Sequence, residues 1–405
     1  MVHSVLYIVF AIIFFYCALS VLYIFILSFS AAFFYRKKEF AGESQDIRKR
    51  IAVLVPAYKE DGIIMSTARN LLDLDYPGNE YRVIIIADSF QPETLGALKA
   101  LPLDVVEVSF EKSTKTKALN EAFRRIPAAF DIALICDADN MLAGDFLQRI
   151  NDRFVKGARA VQGRRVAKNL DSSFAILDAC SEAINNHIFR KGAQSVGLSS
   201  AVIGSGMAFE YDNIRGILSS IQAVGGFDKI LQLRIVEQDI KIEYLEDALV
   251  FDEKVDSPEA FQQQRKRWVS SQFIYLRQFF GPACRQLLRG NFSYFNLAVA
   301  NNLVLPRAFL LILPPLLAVA GFFLDRSSGW AALGVWALYL LSLGMGMPAS
   351  LMNRDLLVAV LRLPRAIIVM IGALFQVKKS NRTFIHTVHT KTEIGNTLFR
   401  GKKNP

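Results

Sequence analysis

Two carboxylates one residue apart, Asp137 and Asp139, close the apolar run Ile132-Ala133-Leu134-Ile135-Cys136. In a turn leaving a strand, such a pair can present both carboxylates to one ligand edge. Hard oxygen donors of that kind suit Mg2+ or Mn2+, completed by phosphate oxygens and water. Further along, Glu237-Gln238-Asp239 precedes Ile240, Ile242 and Leu245, a pattern that predicts a carboxylate at the start of an amphipathic helix. There it could take a proton from an attacking hydroxyl. Gln264-Arg265-Lys266-Arg267-Trp268 adds two guanidinium forks matched to diphosphate oxygens, and an indole face for a sugar ring. Each feature also has a plain reading. Acids after strands cap helices, and a basic–aromatic helix followed by Phe273, Tyr275, Phe279 and Phe280 suits a membrane surface.

The elements that must position these residues alternate in type. Ile51–Pro56 is a short continuous apolar run, the pattern of a strand buried on both faces. Helix 63–72, strand 82–87, helix 91–99, strand 105–110, helix 115–126 and strand 132–136 follow. Such alternation predicts a parallel α/β sheet covered on both faces, with ligands outside the carboxyl ends of its strands. Tyr58 and Glu60, Asp88 and Ser89, and Asp137 and Asp139 then converge on one edge.

The 405 residues are 52% hydrophobic with a net charge of +10, and the apolar residues are bunched at the two ends. As a helix, residues 2–35 would reach about 50 Å, more than the hydrocarbon layer of a bilayer, so one tilted crossing is expected and no cleavable signal. Arg36-Lys37-Lys38 after it predicts a cytoplasmic catalytic domain and an outside N-terminus. Two further crossings are expected over 303–324 and 330–352. The segment 356–377 is interrupted by Arg362, Pro364 and Arg365; it reads as interfacial or spanning, before a basic tail over 378–405. The division expected is therefore 1–35 membrane helix, 36–290 catalytic domain ending in an amphipathic interfacial helix, and 291–377 membrane region. Four scattered cysteines fit a reducing compartment and no zinc site. No nucleic-acid-binding signature accompanies the basic charge, so membrane lipid and a phosphorylated substrate account for it better.

The ordered set "VPAYKE", "IADS", "TKTKALN", "DADN", "GSGMAF", "GGFD", "EQD" and "QRKRW" resembles the membrane-bound family 2 glycosyltransferases. It looks like the processive branch of cellulose, chitin and hyaluronan synthases. The resemblance implies a GT-A, Rossmann-like α/β domain flanked by transmembrane helices, binding a nucleotide sugar with Mg2+ or Mn2+. It implies that Pro56, Ala57, Tyr58, Glu60, Asp88, Lys117 and Asp137 border the nucleotide. Asp139, with Asp137, would hold the metal, and Asp239 would be the catalytic base. Gln264, Arg265, Arg267, Trp268, Ser205, Gly206 and Met207 would lie at the diphosphate and acceptor end. Lys59 stands where the family usually has Asn, Thr116 where it has Gly, and Gln238 where Glu or Asp is usual. Phe384, Thr387 and His389 partly resemble a gating loop. The expected reaction is inverting transfer from a UDP-sugar to a polysaccharide or glycan. The alternative is addition of a single sugar to a lipid-linked acceptor. An inactive nucleotide-sugar receptor and a transporter fit the intact motifs less well.

Overall fold

The computed structural model describes residues 2–37, 47–126, 130–221, 226–255, 258–361, 389–396 and 398. They form two units. An α/β unit comprises Lys37–Glu182, Ser199–Ser271 and Asn353–Pro405; a helical unit comprises Met1–Arg36, Ala183–Leu198 and Gln272–Met352.

In the α/β unit, strands β1 (Ile51–Tyr58), β2 (Tyr81–Asp88), β3 (Asp104–Val108) and β4 (Ile132–Ile135) are joined by helices Ile64–Leu72, Pro92–Lys99 and Lys115–Arg125. The strand–helix alternation is the one the sequence predicts. β5 (Met141–Leu142), β6 (Ala160–Ala167), β7 (Met207–Glu210) and β8 (Ile242–Asp252) complete one sheet of order β3-β2-β1-β4-β7-β6-β8-β5. The expectation of a wholly parallel sheet holds for β3-β2-β1-β4 and for the β6–β8 pair, while β7 and β5 pair antiparallel. β7 runs antiparallel to both β4 and β6, because its chain enters from the ligand edge through the turn at Gly204–Gly206. That reversal pairs Met207 with Ile135 and brings the turn beside the end of β4.

Ile51 to Val55 are buried on both faces of β1, as are Ile84 to Ile86 on β2 and Ile132 to Ile135 on β4. Burying each such side chain contributes about 1.5–3 kcal/mol. Ile64, Ala68 and Leu71 of the first helix pack into the same core. Register sets Tyr58 beside Asp88, so β1 and β2 end level. A carboxylate cannot move inward among these strands without losing hydration, so the acids emerge where the apolar runs stop.

One expected helix is absent. Glu237-Gln238-Asp239 follows the end of helix Phe227–Val236, and the residues after it form β8. Ile242, Tyr244, Ala248 and Val250 are buried against the sheet, and this β pairing overrides the helical spacing of Ile242 and Leu245.

In the helical unit, Val2–Phe33, Arg307–Leu324 and Arg326–Gly346 are long and apolar enough to cross a membrane. The last two begin at different places from those expected. Pro306 stands immediately before one, and Asp325 alone separates the pair, accepting from the Ser328 N–H at 2.9 Å. Val21, Ile24 and Leu27 pack with Ile188, Leu310 and Tyr339. The π-helical turn Asn186–Gly192 lies against the first helix, with His187 Nε2 2.9 Å from the Ser28 carbonyl. The segment 356–377 begins as helix Arg354–Leu361; residues 362–377 lie outside the described residues.

Gly206 has φ +60, and a Cβ there would collide with the Val250 side chain. Gly206→Ala should therefore destabilise the domain by about 1–3 kcal/mol. Gly96 lies in helix Pro92–Lys99 with open space around it, and Gly96→Ala should be neutral or stabilising by up to about 1 kcal/mol. Thermal melts of the two purified variants against the parent check both.

Candidate active site

The carboxyl ends of β1, β2 and β4 bring Glu60, Asp88, Asp137 and Asp139 to one edge of the sheet. Asp88 is buried, and its carboxylate accepts from Ser89 Oγ at 2.9 Å and Ser113 Oγ at 2.5 Å. Pro56 and Tyr58 are half-buried at the end of β1 and Ala57 is buried. Lys59 and Ser89, the residues after β1 and β2, both have left-handed backbone, φ 55 and 59. Asn tolerates that conformation better than most residues, which gives a physical reason for the Asn that the family resemblance implies at the Lys59 position.

The Asp137 carboxylate pairs with Lys115 Nζ, which also donates to the Gly204 carbonyl at 2.7 Å and lies 5.1 Å over the Phe227 ring. The Asp137 N–H donates to buried Ser205 Oγ at 2.9 Å. Gln162, fully buried, holds that loop. Its amide donates to the Ser205 carbonyl at 2.9 Å, and its side-chain oxygen accepts from the Ile203 N–H at 3.0 Å.

Asp139 is held from behind and in front. Lys168, a fully buried lysine, donates to the Asp139 carbonyl at 2.7 Å. Asn140 Nδ2 lies 3.1 Å from both the Asp139 and Asp252 carboxylates, while Asn140 Oδ1 is buried with no hydrogen-bond partner. In front, His389 Nδ1 is 3.0 Å from Glu60 Oε1, and His389 Nε2 is 3.8 Å from Asp139 Oδ2. Burial, together with the Asp252 and Asp137 charges, pushes the Asp139 carboxyl up to about 6 against the opposing pull of His389 and Lys168. Burial would lower His389. The Glu60 hydrogen bond and the charges of Asp139 and Glu253 outweigh it and raise the imidazole to about 9.

His389 arrives on a segment anchored at several points. The N–H groups of Thr390 and Lys391 donate to Glu253 at 3.1 and 3.0 Å. Lys391 Nζ is 2.5 Å from Asp171, and the Asn396 side chain donates to the Ala167 carbonyl at 2.8 Å.

Some sequence-predicted residues stand elsewhere. Lys117 is exposed and donates to the Lys112 carbonyl at 2.9 Å, so Lys115 rather than Lys117 meets Asp137. Counting back from Ala118-Leu119-Asn120, the lysine of a G-K-x-x-A-L-N pattern falls on Lys115, the signal that could have found it. Met207 is buried within β7. Asp239 is exposed in left-handed backbone, φ 56, between helix Phe227–Val236 and β8. Gln264 Oε1 is buried without a hydrogen-bond partner. The side chains of Arg265, Arg267 and Trp268, and the residues Phe384 and Thr387, lie outside the described residues.

Among the described residues no three His, Cys, Asp or Glu groups form a ready-made metal site. Two groups do face one another, the Asp139 carboxylate and His389 Nε2, and the imidazole becomes a donor once an arriving cation displaces the proton that Glu60 and Asp139 favour on it. Oxygen plus imidazole is a donor pair suited to a divalent ion that takes its remaining ligands from phosphate and water. Burial and the neighbouring carboxylates that raise Asp139 are a cost a cation would relieve. The residues present fit a bound Mg2+ or Mn2+.

A Rossmann-like sheet with acids at its carboxyl edge and an antiparallel β7 returning beside them defines a GT-A α/β domain. The chain belongs to the family described as glycosyltransferase like family 2, which matches residues 49–271. It is 26% identical over 249 residues to the β-monoglucosyldiacylglycerol synthase of Trichormus variabilis, covering 58% of this chain and 51% of that protein. An N-acetylglucosaminyltransferase of Rhizobium meliloti is 25% identical over 246 residues, 55% of each chain. The chain thus spans about half the length of the curated relatives it matches. The mannosyltransferase PcManGT from Pyrobaculum calidifontis, solved with GDP-Man and Mn2+, shares the fold at TM-score 0.54 and 18% identity. That match covers 93% of this chain and 99% of the other.

Lys115→Met should weaken nucleotide diphosphate binding by roughly tenfold, the loss of one charged contact of about 1.4 kcal/mol. Lys117→Met should leave it within about twofold. Calorimetric titration of both variants with UDP in the presence of Mn2+ separates the two lysines.

Proposed function

We propose that the protein transfers one sugar from a UDP-sugar to a lipid acceptor at the membrane, with inversion at the anomeric carbon. The observation that carries this reading is the meeting of Glu60, Asp88, Asp137 with Lys115, and Asp139 with His389 at one sheet edge of a family 2 chain. The lipid acceptor is favoured over a growing polysaccharide because several of the most similar curated proteins are named β-monoglucosyldiacylglycerol synthases. Helices able to cross a bilayer would hold such an acceptor's chains. By the charge after the first helix, the catalytic domain faces the cytoplasm and the N-terminus the outside.

In this mechanism Asp88 and the end of β1 hold the nucleoside, while Lys115, Arg265 and Arg267 hold the diphosphate. Asp139 and His389 would hold Mg2+ or Mn2+, which supplies Lewis-acid stabilisation to the departing diphosphate. Asp239 takes the proton from the acceptor hydroxyl, whose oxygen attacks the anomeric carbon from the side opposite the leaving group. The bond between that carbon and the diphosphate oxygen breaks, and UDP leaves with the bonding pair. Trp268 offers a face to the sugar. The left-handed backbone at Asp239 is consistent with a functional position, since such strain persists where the surroundings enforce it.

Incubation with a panel of UDP-sugars and diacylglycerol should release UDP and yield a lipid carrying a single hexose by mass. Products with a ladder of sugars would restore the polymerising reading, and no UDP release with any sugar would sink both. Asp239→Asn should lower transfer at least about 10³-fold, in keeping with loss of a general base, while UDP binding stays within about twofold. Transfer that survives this substitution would remove Asp239 from the base role. His389→Ala should weaken Mn2+ binding in the presence of UDP at least about tenfold, read by the paramagnetic resonance of free Mn2+.

A further inference from the structure

The helical unit has an unusual charge balance. It holds eight basic residues, Arg36, Arg190, Lys191, Arg277, Arg285, Arg289, Arg307 and Arg326, and one acid, Asp325. Seven of the chain's ten net positive charges therefore lie in this unit. Asp325 is engaged by the hydroxyl of Ser328 at 2.5 Å in the tight turn between two apolar helices, where Arg326 follows it.

The cations are not scattered. In the long helix Pro258–Leu288, the part within this unit buries Tyr275 and Ala283 on one side. The other side exposes Phe273, Arg277, Phe280 and Leu288. At 100° per residue these four fall within about 80° of one another on the helix surface. Ile274 and Arg285 flank them, and Arg289 and Phe292, just past the helix end, are exposed as well. Large apolar groups alternating with arginines, with no carboxylate among them, make a surface with a greasy body and a cationic rim. Guanidinium groups at the depth of lipid phosphates, with aromatic rings beside the acyl chains, are the arrangement in which such a helix lies in an interface.

We propose that this face, Phe273 to Phe292, docks on the headgroups of anionic phospholipids and selects them over zwitterionic ones. A merely apolar helix would enter any bilayer equally. Each arginine near a negatively charged leaflet adds about 1 kcal/mol, and Arg277, Arg285 and Arg289 are exposed together on this surface. Charge complementarity thus fixes the chemistry of the occupant, and the membrane-crossing helices of the same unit hold the face at a bilayer.

The test measures lipid contact and not glycosyl transfer, so its outcome is independent of the activity proposed above. The full-length protein is reconstituted in bilayers carrying a trace of spin-labelled phosphatidylglycerol or phosphatidylcholine. The motionally restricted fraction of the spectrum then reports each lipid's association with the protein. The expected result is a roughly two- to fivefold preference for the anionic lipid, weakened by salt and reduced to near unity in R277Q/R285Q/R289Q. The charge-preserving R277K/R285K/R289K should keep most of the preference, which separates lost charge from lost folding. Equal restriction of both lipids in the parent protein would overturn the proposal, as an acidic protein partner in place of the leaflet would predict. So would a preference that survives in the glutamine variant.

Discussion

A carboxylate buried just past the end of a hydrophobic strand, Asp139, governs the organisation of the α/β unit. Asp139 has lost most of its hydration, and its neighbours Asp137 and Asp252 add repulsion. The surroundings answer with positive charge and donors. Lys168 reaches the Asp139 backbone, His389 faces the side chain, and Asn140 ties the carboxylate to Asp252. Asp252 is in turn 2.7 Å from Lys254 and 3.8 Å from Arg165, and Arg165 is 2.7 Å from Glu182. A buried lysine or arginine left without these partners would cost several kcal/mol. The network therefore fixes the loop as firmly as the apolar core fixes the strands.

The same demand explains where the backbone is strained. Lys59, Ser89 and Asp239 are the described non-glycine residues with positive φ, each costing about 1–2 kcal/mol. Two of them turn the chain sharply after β1 and β2, keeping Glu60 and Asp88 at the edge. The short strand β7 works toward the same end. It reverses direction to bring Ser205 under the Asp137 N–H, with Gln162 pinning the loop from below.

Much of this was legible in the sequence. Continuous apolar runs marked β1, β2 and β4 because burial on both faces leaves no polar positions, and acids at their ends marked the edge where Glu60, Asp88, Asp137 and Asp139 meet. What escaped was set by contacts between distant positions. Helical spacing after Asp239 misled because pairing with β6 decides that segment, placing Ile242 opposite Ala160. The antiparallel β7 has four residues, too few for a period. Lys115 was legible in the K-x-x-A-L-N spacing, and taking Lys117 instead was a miscount and not a tertiary effect. The approach of His389 to Glu60 joins two residues far apart in the chain, and no local pattern announces it. The family resemblance pointed to the enzyme class, while the preference proposed for a single lipid-linked sugar over a polymer rests on relatives and not on residues.

Ala183–Leu198 interrupts the catalytic sequence, yet it belongs to the helical unit. At Gly192 an added Cβ would strike the Leu27 carbonyl, so the first helix and this insert meet with no side chain between them. The helical unit is thus built from three separate stretches of the chain, one of them lying within the α/β unit's sequence. A soluble catalytic fragment made by trimming the N-terminal helix would keep the insert but lose the surface it rests on. It would carry the bare apolar flank of Ile184 and Ile188 into water. Exchanging the helical unit for another, simple where domains follow one another along the chain, would here require cutting the α/β unit's sequence at Ala183–Leu198.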